Sequence, residues 1–284
     1  MSTSYIEVEI RASEELIDQL VGIFSQIGFE GFWEDAGLLR CYMNQGRWTP
    51  AMQEEVQTTV NRVVRSSSTI QPSLTIRSIE GRNWNEEWEK TIKPIQVTER
   101  IVIKPTWHEY DAQPGQIVLN IDPKMSFGTG YHETTRLVLR LMEKHIQPGI
   151  RLLDIGTGTG VLVIAGIKLG ADSGIGVDID EWSYDNAREN LTLNAVENQV
   201  RIFRGDISSI TSELFGMIVA NIQLNVIKHL LIEMRNRLIP TGILIVSGLL
   251  FQDRDEMLVD LEAGGYRVID ELRENEWIAF ACLK

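Results

Sequence analysis

Hydrophobic and polar positions recur with two different periods along this chain, and the changes of period mark out its elements. From Tyr5 to Ile10 the order YIEVEI alternates apolar and polar residues, as a half-buried strand does. Leu16, Ile17, Leu20, Val21 and Phe24 then recur at helical spacing, with Ser13 the expected N-cap. Residues 32–34 and 38–43 read as a hairpin around 35–37. A second helix is expected from about 50 to 66, and residues 74–77 close the unit as a strand. The order β-α-β-β-α-β predicts a small α+β, ferredoxin-like unit over residues 1–80. That fold hosts many functions and by itself indicates none.

Residues 81–95 are short, polar and punctuated by Trp84 and Trp88, which share one face of an expected linker helix that Pro94 ends. From 96 to 284 the pattern changes to apolar runs alternating with helical segments. Strands are expected at 101–105, 116–121, 151–155, 174–180, 200–204, 215–222, 243–247, 266–270 and 277–283. Helices are expected at 135–144, 161–168, 182–194, 226–238 and 252–263, with Pro240 just beyond the fourth. Strands alternating with helices through short connections predict an α/β doubly wound sheet. The closing strand pair predicts a hairpin edge with one antiparallel strand.

The chemistry concentrates at residues 151–160, RLLDIGTGTG, a strand running into a turn in which Gly156, Gly158 and Gly160 alternate. A turn pressed against a ligand leaves no room for Cβ and often requires positive φ, which glycine supplies. Such a strand–turn–helix unit places backbone N–H groups and a helix N-terminus at the carboxyl end of the sheet, where nucleotides bind. Asp178 ends the next strand twenty-two positions after Gly156, placed to accept hydrogen bonds from ribose hydroxyls. A dinucleotide fingerprint would carry glycine at 161, where Val161 stands. A second glycine-bearing loop, DPKMSFGTGYHETT from Asp122 to Thr135, bunches hydroxyls and amides ahead of this strand. Within it His132 reads either as a core or capping histidine or as a general base.

Bulk composition narrows the field. With 43% hydrophobic and 24% charged residues the chain has the make-up of a soluble globular protein. No apolar run reaches the roughly 18–20 residues that span a bilayer, and the N-terminus has no secretory pattern, so a cytoplasmic location is expected. Two distant cysteines, Cys41 and Cys282, predict neither a disulfide framework nor a metal cluster, and no metal is expected. A net charge of −13 argues against direct nucleic-acid binding and is compatible with a basic protein partner.

Four stretches, FGTGYHETT, DIGTGTG, GVDID and VANI, occur in that order behind an NWNEEW linker and ahead of ENEW at Glu274 to Trp277. Together they resemble, over essentially the whole chain, the bacterial methyltransferases of large-subunit ribosomal protein eleven, the PrmA family. The resemblance implies a class I methyltransferase: a Rossmann-like, doubly wound, seven-stranded sheet behind the N-terminal α+β domain. It also implies S-adenosylmethionine as methyl donor, with S-adenosylhomocysteine as product. The implied acceptors are lysine ε-amines and the N-terminal α-amine of that ribosomal protein, held by residues 1–80. Another protein lysine or a small-molecule amine is the alternative acceptor. Carried over by position, donor contacts fall on Thr135, Gly156, Asp178 and Asn221. With the glycine turn and its neighbours the candidate donor set becomes Thr134, Thr135, Asp154, Gly156, Thr157, Gly158, Gly160, Asp178, Ile179, Asp206 and Asn221. Asp206 is included as the acid at the third strand's tip, where class I enzymes place one near adenine. Asn221 and His132 are the candidate catalytic residues, Asn221 because an amide oxygen orients an amine without adding charge. A role for Asn221 as a helix N-cap is the competing expectation. The family's usual FGTGTHPTT carries Tyr131 and Glu133 here.

Overall fold

The computed structural model describes residues 4–284 apart from 13–15, 18, 19, 22, 25, 26, 30, 36, 66–72, 80–91, 123–127, 129, 211 and 212. The chain divides into two compact units, Met1–Lys90 and Thr91–Lys284. In the first, β1 (Tyr5–Arg11), β2 (Gly31–Asp35), β3 (Leu38–Asn44) and β4 (Ser73–Ile79) form an antiparallel sheet in the order β2-β3-β1-β4. Alternation along β1 and β3 sends Ile6, Val8, Ile10, Leu39, Cys41 and Met43 into one core. Helix α1 (Pro50–Arg65) adds Val56, Val60 and Val63 to it. Leu16, Ile17, Leu20 and Phe24, all helical, complete that core. Between the core positions, Arg40 Nε donates to Glu9 at 3.0 Å and the Tyr42 hydroxyl to Glu7 at 3.2 Å. Ser13, the expected cap, lies outside the described residues.

The second unit opens with β5 (Ile95–Gln96), β6 (Ile101–Lys104) and β7 (Ile117–Asn120), a sheet of their own in which β6 and β7 run parallel. The chain then alternates through α2 (Glu133–His145), β8 (Arg151–Ile155), α3 (Val161–Lys168), β9 (Ser173–Asp178), α4 (Glu181–Leu193) and β10 (Val200–Arg204). It continues through β11 (Phe215–Asn221), α5 (Leu224–Arg237), β12 (Leu238–Leu250), α6 (Arg254–Ala263), β13 (Arg267–Glu274) and β14 (Trp277–Leu283). These strands make one seven-stranded sheet in the order β10-β9-β8-β11-β12-β14-β13. The chain moves from β8 outward to β10 and then crosses back to β11, so strand order reverses between β8 and β11. A crevice opens at such a switch point, beyond the carboxyl ends of the strands.

Helices cover both faces. Leu152 packs with Leu137, Leu141 and Val163 on one side, while Leu153 packs with Ile227, Leu231, Met257 and Leu261 on the other. Burial on both faces is why the central strands read as continuous apolar runs.

Two local expectations change. The linker helix expected over 81–95 falls mostly outside the described residues, Trp84 and Trp88 included. At its described end residues 92–94 are not helical and Ile95 begins β5, because Pro94 excludes the helical conformation from the residue before it. Pro240 lies inside β12, where the register with β11 shifts between Phe215 and Met217, and an irregular stretch tolerates the missing N–H. The closing pair forms the expected hairpin edge: β14, the one antiparallel strand, lies between β12 and β13, and β13 is outermost.

Candidate functional site

The turn after β8 is a corner built on three left-handed glycines, Gly156 (φ 73°), Gly158 (φ 54°) and Gly160 (φ 81°). Its backbone is pinned to the next strand: the Gly156 and Thr157 N–H groups donate to the Val177 carbonyl at 2.9 and 3.0 Å. Gly160 is the N-cap of α3 and brings no capping side chain, so the helix start stays open. A Cβ on Gly156 would stand 2.3 Å from Ile222 Cγ2, so the corner also needs glycine for space. Asp178, at the tip of β9, accepts the Gly158 N–H on Oδ2 at 2.8 Å and the Asp180 N–H on Oδ1 at 3.0 Å. Both oxygens keep a lone pair for a ligand, because a carboxylate oxygen accepts more than one hydrogen bond.

Asp154 lies beneath this corner and is fully buried. The Thr157 hydroxyl donates to its Oδ2 at 2.7 Å, while Oδ1 has no partner. Burial pushes its carboxyl up to about 7; the Thr157 hydroxyl opposes that rise and the Asp178 charge adds to it.

In front of the corner is a cleft of about 470 Å³, a size typical of small-molecule sites. Gly156, Gly158, Asp178, Asp206 and Asn221 supply its polar lining, while Ile179, Ile222, Val226 and Leu230 supply an apolar wall. Asp206 is fixed by accepting the Ser208 backbone N–H (2.9 Å) and hydroxyl (2.5 Å), which hold its carboxyl below the usual range. Ile179 is 76% exposed, an open apolar surface beside the carboxylate, suited to a flat aromatic ring. A carboxylate for a sugar, an apolar wall for a base and a second carboxylate at the far edge fit an adenosine-bearing donor.

Asn221 ends β11 at the mouth of this cleft. Its Nδ2 lies 3.5 Å from Thr135 Oγ1, and its Oδ1 is buried without a hydrogen-bond partner. The helix that follows is capped by Gln223, so Asn221 does not serve as its N-cap. Beside Asn221 α2 begins, with His132 as N-cap. Its Nδ1 accepts the Thr134 N–H at 3.3 Å and lies 2.8 Å from Thr134 Oγ1, and its ring stands edge-on to Trp277 at 4.7 Å. Glu133 accepts from Asn275 Nδ2 at 2.9 Å.

The expected donor residues thus divide by place. Gly156, Gly158, Asp178, Ile179, Asp206 and Asn221 meet in one cleft, whereas Asp154, Thr157 and Gly160 support the corner from beneath and behind. Thr134 and Thr135 are buried at the start of α2 beside His132. The cleft adds Gly205, Ile222, Gln223, Val226 and Leu230, which the sequence reading missed. Val226 and Leu230 lie four apart on one face of α5, and nothing in their own stretch marks them as cleft residues.

Comparison with known proteins gives concordant likenesses. The family model described as ribosomal protein L11 methyltransferase (PrmA) matches residues 4–284. The ribosomal protein L11 methyltransferase of Chlorobaculum tepidum is 35% identical over 280 residues, 97% of this chain and 95% of that protein. The same-named protein of Acetivibrio thermocellus is 38% identical over 201 residues, 71% of this chain and 64% of its own. Among solved structures, ribosomal protein L11 methylase from Lactobacillus delbrueckii subsp. bulgaricus superposes with a TM-score of 0.63 at 28% identity, covering 67% of this chain and 97% of that one.

Proposed function

The chain belongs to the ribosomal protein L11 methyltransferase family, and on that premise we propose that it moves methyl groups from S-adenosylmethionine to lysine ε-amines and the N-terminal α-amine of ribosomal protein L11. The donor's ribose is assigned to Asp178, its adenine to the wall of Ile179, Ile222 and Val226 with Asp206 at the edge, and its methionyl end to the glycine corner. When bound, the donor supplies a sulfonium-activated methyl group. The protein's task is then alignment and delivery of a neutral amine.

A lysine amine with a reference pKa of about 10.4 must lose its proton before attack. Desolvation in the cleft mouth next to a positive sulfonium favours that loss. Asn221 receives the amine: its Nδ2 faces Thr135, which leaves Oδ1 to accept one N–H and aim the nitrogen lone pair at the methyl carbon. An amide oxygen does this without a charge that would favour the protonated amine. His132 holds the first turn of α2 in place through its capping Nδ1. Residues 1–80 are assigned to holding the acceptor protein.

The observation that carries this reading is the buried, partnerless Asn221 Oδ1 at the mouth of a cleft bearing a strand-tip carboxylate. Incubation of the protein with labelled S-adenosylmethionine and purified ribosomal protein L11, followed by intact mass and peptide mapping, tests it. Methyl increments on lysines and the N-terminus are expected. An unmodified L11 with another protein or a small amine labelled in its place overturns the acceptor assignment.

A further inference from the structure

Helix α4 presents a row of buried asparagines, Asn186, Asn190 and, at its C-cap, Asn194, which are 2%, 0% and 4% exposed. Buried amides on a helix need partners, and all three bond to backbone at or just past the end of β7, with Asn186 Oδ1 alone of their oxygens left without one. β7 is the edge strand of its three-stranded sheet, so its far side has free N–H and C=O groups. Asn194 takes both groups of Asn120: its Oδ1 accepts the N–H at 2.9 Å and its Nδ2 donates to the C=O at 2.7 Å. One helical turn back, Asn190 Oδ1 accepts the Asp122 N–H at 3.0 Å, and Asn186 Nδ2 donates to the Asp122 C=O at 2.9 Å. The match is geometric. Four helical residues advance about 6 Å, and two extended residues about 6.6–6.8 Å, so Asn194 and Asn190 reach Asn120 and Asp122, while Asn186 returns to Asp122.

Asn190 alone in the row does something more. Its Nδ2 donates to the Thr159 carbonyl at 2.9 Å, inside the glycine corner. The Thr159 hydroxyl in turn donates to the Gly128 carbonyl at 2.8 Å, in the loop that leads to α2. That contact leaves no space for a side chain at Gly128, where a Cβ would lie 2.7 Å from Thr159 Oγ1. One amide therefore registers the backbone at Asp122, two residues past β7, the glycine corner and, through Thr159, the approach to α2.

We propose that Asn190 is a positioning residue for the donor site, setting the glycine corner at the height at which Gly156 and Gly158 meet the donor. The inference rests on the donor reading above. Asn194 supplies the control, since it makes the same kind of rung to Asn120, and its remaining amide bond goes to the Asn190 carbonyl of its own helix and not to the corner.

The test compares Asn190→Ala, the milder Asn190→Ser and Asn194→Ala in the full chain, by calorimetric titration with S-adenosylhomocysteine, thermal melting and steady-state kinetics. Both positions are expected to lower Tm. Only the Asn190 variants are expected to weaken binding, by about tenfold, with donor KM rising in parallel and kcat at saturating donor within about twofold of wild type. Asn190→Ser, which folds if the alanine variant does not, is expected to fall between. Asn190 variants that bind as tightly as wild type, or an Asn194 variant that loses binding equally, would overturn the proposal. A wild-type protein that binds no S-adenosylhomocysteine would overturn the donor reading, and this inference with it.

Discussion

Gly158 and Asp178 are joined by one hydrogen bond, 2.8 Å from the backbone N–H of the glycine corner to the carboxylate at the tip of the neighbouring strand. Nineteen residues of chain, including all of α3, lie between them. The bond fixes the carboxylate's direction before a ligand arrives, so less side-chain freedom is lost on binding. It also makes the corner and the strand-tip carboxylate one unit.

Asp178→Ala is expected to remove both the ribose contact and this brace. Loss of a charge-assisted hydrogen bond should weaken donor binding by roughly 1.5–3 kcal/mol, about 10- to 150-fold. Calorimetry with S-adenosylhomocysteine measures it, and unchanged affinity would exclude the assignment of the nucleoside to this carboxylate.

Asn221→Ala should separate binding from turnover. Its side chain is assigned to the acceptor amine, so donor affinity is expected to stay close to wild type while kcat falls about 10- to 100-fold. Equal turnover, with donor bound normally, would rule out the amide as the amine's acceptor.

Gly248 sits at the carboxyl end of β12 with φ 87°, and a Cβ there would lie 2.3 Å from the Ile222 carbonyl oxygen. The clash is with backbone, so no rotamer change relieves it. Gly248→Ala is expected to lose roughly 2–4 kcal/mol from left-handed strain and overpacking together. Denaturant unfolding checks the value; a loss below about 1 kcal/mol would mean that the strand tips tolerate separation.

Asp154 gives a pH signature. Its carboxyl is raised to about 7 by burial, above the reference value of about 3.9. The folded state therefore holds this proton more tightly than the unfolded chain does. The stability it contributes is complete below about pH 4 and is lost as pH rises through about 7. Asp154→Asn keeps the shape without the titration, so its melting temperature should fall less than that of wild type between about pH 5 and pH 8. Parallel melting profiles would assign the pH dependence to other groups.

Much of this site is local, and local chemistry is visible in a sequence. The glycine alternation, the apolar lead into Asp154 and the acid at 178 all follow from what one strand–turn–helix unit requires of its own residues. The α/β alternation was equally open to reading, because strands buried on both faces are continuously apolar and the helices between them are periodic. The apolar wall was not. Ile222, Val226 and Leu230 are ordinary core-type residues until β11 is placed beside β8, and nothing in their own stretch shows that the crevice lies there. Which strand of the closing hairpin lies outermost is similarly invisible, since β12 could pair with either without changing their alternation.

By itself, then, the sequence determined the elements, the glycine corner and the identity of the two strand-tip acids, because backbone conformation and short-range hydrogen bonding select residue types position by position. Only the tertiary structure decided that Asp154 faces inward while Asp178 faces the cleft, that Asn221 is left with a partnerless oxygen, and that Asn190 reaches from α4 to the corner. Those outcomes depend on which distant backbone groups lack a partner, and that is settled only when the sheets and helices pack.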